Sequence, residues 1–146
     1  MILPRQVHHF LSLSLFCALL CAFFTGCGFG PTLYPTEGTV KADEQPLPKG
    51  SVTLFPDKDK GNKFNGTPTG EVVDGKFKIM TQGSAGAPAG WYKVTVTGVD
   101  SPDSTKPNAV VNPVDARFRE MAKTPLEFEV VASPAAGAYD LKVSSK

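Results

Sequence analysis

Histidine occurs twice in the chain, at His8 and His9, and cysteine three times, at Cys17, Cys21 and Cys27. All five lie within the first 27 residues. The groups that most often move protons or attack carbonyl carbon at neutral pH are therefore missing from the long remainder. No Ser-His-Asp or Cys-His arrangement, no HExxH zinc motif and no histidine-based acid–base pair can be assembled there. Carboxylates remain. Glu127 and Glu129 stand at i, i+2 and share one side of an extended strand, and a glycosidase pair needs carboxyls about 5–9.5 Å apart. Charge alternating opposite an apolar face explains the same two residues without chemistry. Asp57-Lys58-Asp59-Lys60-Gly61-Asn62 opens in the manner of a calcium loop, but Gly61 stands at loop position five and Pro68 at position twelve, where a bidentate Glu is required. It reads as a solvated loop. These residues point away from an enzyme and require neither cofactor nor metal. Trp91, the only tryptophan, shares a strand side with Lys93. Facing outward it would offer a stacking platform to a sugar ring or a partner protein; packed against residues 98–125 it would be structural.

What positions these residues begins with an address. Arg5 precedes an uncharged run from Phe10 to Phe24, which ends in Phe24-Thr25-Gly26-Cys27. A positive start, an apolar stretch and small residues before a cut describe a secretory signal. The run is shorter than the ~20 apolar residues that cross a bilayer. The tetrad ending at Cys27 resembles the lipobox of bacterial lipoproteins, with Phe24 standing where Leu is usual. That resemblance implies diacylglycerylation of the Cys27 thiol and cleavage just before it. An ordinary secretory signal or an uncleaved signal anchor are the alternatives, with Cys27 then incidental.

The expected organisation is a signal peptide over 1–26, a lipid-anchored tether over 27–35 and a body over 36–146, on the extracytoplasmic side of the cell envelope. Cys17 and Cys21 behave as small hydrophobes within the signal and leave with it, so the mature chain has no cysteine pair to oxidise. Removing Arg5 leaves as many Lys and Arg as Asp and Glu. A neutral body lacks the clustered cations that hold nucleic acid or anionic lipid. The membrane partnership then rests on acyl chains at Cys27, each buried CH₂ contributing ~0.8 kcal/mol. The tether of residues 28–35 keeps the body within about 30 Å of the bilayer.

From Thr36 onward the apolar period is two. Phe77 and Ile79 alternate with Lys76 and Lys78; Tyr92, Val94 and Val96 with Lys93, Thr95 and Thr97. Leu126, Phe128 and Val130 alternate with Glu127 and Glu129, and Tyr139, Leu141 and Val143 with Asp140 and Lys142. This is the pattern of sheets with one buried face. Further strands are expected near 37–42, 51–55 and 70–73, with Asp74-Gly75 as a two-residue hairpin turn. Gly 14 and Pro 13 in 146 residues cut long helices short. The pattern predicts an all-β body, a seven-stranded antiparallel β-sandwich of prealbumin-like or immunoglobulin-like type. One segment departs from it. Gly98 to Pro125 is expected to be a long excursion carrying a short helix within Val114 to Lys123, capped by Asn112 and started by Pro113.

The body resembles the carboxypeptidase-regulatory-like, transthyretin-like domain of small bacterial surface lipoproteins. The residues that carry the likeness are Glu37-Gly38-Thr39-Val40, Gln45 through Pro56, Asp74-Gly75-Lys76-Phe77, Pro88 through Val96, and Ala116-Arg117-Phe118 through Thr124-Pro125-Leu126. Domains of that kind carry no carboxypeptidase machinery. The resemblance implies a membrane-tethered, non-enzymatic module with a structural or interaction role and an envelope protein or glycan as partner. The alternative is a carbohydrate- or peptide-binding module using Trp91 and residues 98–125. The last strand, Tyr139 to Val143, has no Asn with which to form the Lys–Asn crosslink of some surface sandwiches.

Overall fold

The computed structural model describes residues 30–99, 101–103, 106–111 and 113–145. The expected signal segment 1–26, Cys27 and the expected cap Asn112 lie outside the described residues. Residues 31–146 form one compact unit, and its fold is all-β. The strands are β1 (Leu33–Tyr34), β2 (Glu37–Ala42), β3 (Gln45–Pro46), β4 (Lys49–Pro56), β5 (Thr69–Val73), β6 (Lys76–Lys78) and β7 (Met80–Thr81). They continue as β8 (Ser84–Ala85), β9 (Ala87–Pro88), β10 (Gly90–Gly98), β11 (Ser101–Asp103), β12 (Lys106–Val111), β13 (Glu127–Val130) and β14 (Leu141–Val143). One helical turn, α1 (Ala116–Arg119), interrupts them.

The main sheet follows the path β13-β10-β4-β5-β6-β2-β14, with β3, β7 and β8 attached beside it, and curls into a half-barrel. The period-two pattern explains the curl. Along the path Phe128, Val130, Tyr92, Val94, Val96, Val52, Leu54, Val72, Phe77, Val40, Leu141 and Val143 are buried, while Glu127, Glu129, Lys76, Lys78, Lys41 and Lys142 between them are exposed. Each strand of this path thus offers its apolar side to the same interior. Leu47, Val114, Phe118 and Tyr139, from outside the strands, complete that core. Each such side chain contributes about 1.5–3 kcal/mol on burial.

The expected Asp74-Gly75 turn is present. Both residues are left-handed, at φ 49° and 74°, the geometry that matches the twist of a two-residue hairpin. The turn docks on the preceding segment, where Asp74 N–H donates to Pro48 O and Gly75 N–H to Leu47 O.

Four features differ from expectation. Pairing is not antiparallel throughout, because β14 lies parallel to β2, Leu141 beside Val40 and Val143 beside Ala42. A parallel pair needs a long crossover, and here nearly the whole domain lies between the two strands. Asp140 pins the pair: its Oδ1 accepts from both the N–H and the Oγ1 of Thr39, each at 2.9 Å. Secondly, the 98–125 excursion carries, besides the expected helical turn, two strands that were not expected, β11 and β12, which pair antiparallel with each other, and its return segment joins the body. Thirdly, the helical turn is capped by Asp115, whose Oδ1 accepts the Arg117 N–H at 2.8 Å. Lastly, the body starts inside the expected tether, where Leu33 and Tyr34 pair with Pro88 and Ala87.

Tyr92 sits at the centre of the core, fully buried, and its hydroxyl donates to Pro88 O at 2.9 Å. Burial raises its pKa above the ordinary 10.0, with the Asn62 side chain acting in the opposite direction. This contribution to stability is fully present below the unfolded value and is lost as pH rises through the raised folded value, because the unfolded chain then binds fewer protons. We expect the urea midpoint to hold steady until the pH approaches about 10 and to fall above it. In Tyr92→Phe, this part of the slope disappears and stability at neutral pH drops by about 1 kcal/mol for the lost hydrogen bond.

Candidate functional site

Trp91 lies on the outer side of β10, half-buried, and what covers it is the loop between β4 and β5. The Asp57–Asn62 stretch is bound to the tryptophan's own backbone: Asp57 N–H and Asn62 Nδ2 both donate to Trp91 O, each at 2.9 Å. Lys60 then reaches over the indole, its Nζ 4.0 Å from the ring centroid, and ends on Glu127 Oε1 at 2.7 Å. A cation over an indole contributes about 0.5–1 kcal/mol at an exposed site. The ion pair adds little more, since 36% and 46% of its two side chains remain in contact with solvent.

The loop's shape follows from its short polar side chains. Asp57 is buried, and its Oδ1 accepts the N–H groups of Asp59 at 3.1 Å and Lys60 at 3.3 Å. Asp57 O accepts the Asn62 N–H, and Lys58 O the Gly61 N–H, with Gly61 left-handed at φ 83°. Asn62 Oδ1 accepts the Phe64 N–H at 3.0 Å. A carboxylate that satisfies two backbone donors is structural, as in other Asx turns. Among the described residues, no group of three His, Cys, Asp or Glu side chains is placed to hold a metal ion. Asn62 also dictates the start of β10. A Cβ on Gly90 would lie 2.9 Å from Asn62 Nδ2, and φ there is +134°, so glycine is required on both counts.

The other sequence candidates are placed as follows. Glu127 and Glu129 share the outer face of β13, beside Lys93 and Trp91 respectively; Glu127 is bound to Lys60 and no third carboxylate joins them. Cys27 lies outside the described residues. Among those residues, no helix is long and apolar enough to cross a membrane.

A neighbouring hollow has no counterpart in the sequence reading. Phe55 and Lys93 are directly opposed across β4 and β10, and with Pro56 and Met121 they line a concavity of about 400 Å³. Phe55 and Met121 are 66 residues apart in the chain, and only the strand register and the return of residues 116–126 bring them together. That return is fastened by Thr124 Oγ1 donating to Val94 O at 2.6 Å and by Val94 N–H donating to Leu126 O. Comparison of the chain with protein-family models, curated proteins and solved structures returned no match.

Trp91, as the single tryptophan, reports on this loop directly. Asn62→Ala should cost about 1–3 kcal/mol by leaving the Phe64 amide unsatisfied and should shift tryptophan emission to the red in the folded state. Lys60→Met should change that emission while altering the urea-unfolding free energy by no more than about 1 kcal/mol.

Proposed function

We propose that the chain is a bacterial lipoprotein of the cell envelope: residues 1–26 are a signal peptide, Cys27 carries the lipid anchor, and the body is a non-enzymatic module with a structural or interaction role. The observation that carries this reading is Phe24-Thr25-Gly26-Cys27 at the end of an apolar run. Support comes from the spacing between Cys27 and the body, whose first paired residue is Leu33. The few residues between them reach at most about 20 Å, so an acylated Cys27 would hold the body against the bilayer. The non-enzymatic reading rests on the confinement of histidine to positions 8 and 9 and on the internal use of Asp57 and Glu127.

We assign the body, within the same proposal, to the prealbumin-like sandwiches of the carboxypeptidase-regulatory-like kind. The one-sided strands, the Asp74-Gly75 hairpin and the long Gly90–Gly98 strand, paired on both sides, support it. The alternative, a carbohydrate- or peptide-binding module built on Trp91 and residues 98–125, requires a ligand to displace Lys60 from the indole.

Replacing Cys27 with Ala should move the protein from the membrane pellet to the soluble fraction and abolish labelling by a clickable fatty acid. Membrane retention in the variant would refute the anchor. On a glycan array, wild-type and Trp91→Ala proteins should give the same signal; a signal lost only in the variant would favour the alternative.

A further inference from the structure

The hollow beside Lys93 has the features of a ligand site that the lipoprotein reading does not use. Its walls are apolar: Phe55 and Pro56 from β4 on one side, and Met121, 49% exposed, from the turn after α1 on the other. The half-buried Lys93 lines it as well. The register of β10 and β13 places Glu127 opposite Lys93, yet Glu127 is held by Lys60 at 2.7 Å. The Asp57 carboxylate, also at the hollow, is turned to the amides of Asp59 and Lys60. Lys93 consequently has no ion-pair partner among the described residues. A half-buried lysine without an ion pair, lining a mainly apolar hollow, attracts an anion that brings an apolar group with it.

We infer that the Phe55–Lys93–Met121 hollow binds the C-terminal residue of a peptide ending in an apolar side chain. The terminal carboxylate meets Lys93, and the side chain lies between Phe55, Pro56 and Met121. The rim adds one acceptor and one donor, the Asp59 carboxylate and the Lys58 ammonium, matching the N–H and C=O of the last peptide unit. A volume of about 400 Å³ is at the small end of the ~300–1,000 Å³ of ligand pockets, which suits one or two residues better than a long acyl chain. The inference is independent of the anchor: failure at Cys27 leaves it standing, and its own failure leaves the anchor untouched.

The test uses the full chain in detergent, labelled at methionine methyls, with Met80 as the internal control for Met121. N-acetyl-leucine, N-acetyl-leucinamide and isovalerate are titrated separately. The acid should shift the Met121 methyl and leave Met80 in place, with the amide about tenfold weaker for loss of the charged contact. Isovalerate, which keeps the carboxylate and the branched group but lacks the peptide unit, should also be weaker. In Lys93→Gln the acid and amide should bind alike; in Met121→Ala, where the reporter methyl is gone and binding is read by calorimetry, the acid should weaken with the fold intact. No saturable shift, or equal binding of acid and amide to the wild type, would overturn the site. Isovalerate binding as tightly as N-acetyl-leucine would overturn the peptide assignment.

Discussion

A sheet with one apolar face cannot leave that face in water, and the architecture of this domain follows from the way the face is covered. The strands from β13 to β14 carry most of their Val, Leu, Phe and Tyr side chains on one side of a single curled path. Curling lets the side chains of distant strands meet, and segments outside the path fill what the curl leaves open. Phe118 reaches in from the helical turn and Tyr139 from the segment before β14, its ring 4.8 Å from that of Phe128. The hydrophobic effect supplies the drive without direction. Direction comes from hydrogen bonds such as Thr39 to Asp140, which select one partner for the last strand.

Covering the inner face leaves the outer face polar, and two connections settle on it. The Asp57–Asn62 loop is built from side chains that substitute for backbone partners, so Asp57, the first acid of what looks most like a metal loop, is consumed in shaping a turn. Its reach places Lys60 over Trp91 and on Glu127. One cation thereby engages both the indole and the carboxylate that chemistry would need. The same contact leaves Lys93 without an ion pair, and the return of residues 116–126 sets Met121 opposite Phe55. A site can arise this way from packing alone, with no motif in the chain to announce it.

A domain of this kind joined to an acylated cysteine would work by position. Its charge is balanced once Arg5 is gone, so a surface of mixed sign would not pull it flat onto anionic lipid. The anchor would restrict the body to a thin shell above the membrane, where even a weak peptide interaction gains from high local concentration. Anchor and hollow, as proposed, would address different steps, retention and recognition, and they rest on different residues.

Several features were legible in the residues themselves. The strands at 37–42, 51–55, 70–73 and 92–96 and the Asp74-Gly75 turn follow from alternation and from left-handed preferences, which act over a few residues and need no distant partner. The exclusion of histidine chemistry from the body likewise needs only a count. The parallel pairing of β14 with β2, the loop over Trp91, the capping by Asp115 and the hollow around Lys93 were not legible. Each joins residues far apart in the chain, or chooses between equally plausible neighbours as Asp115 and Asn112 are. Local sequence determines which side of a strand is apolar; which strands lie adjacent, and so which side chains meet, is decided when the whole sheet closes over one core, because burial is a property of the assembled surface and not of any segment.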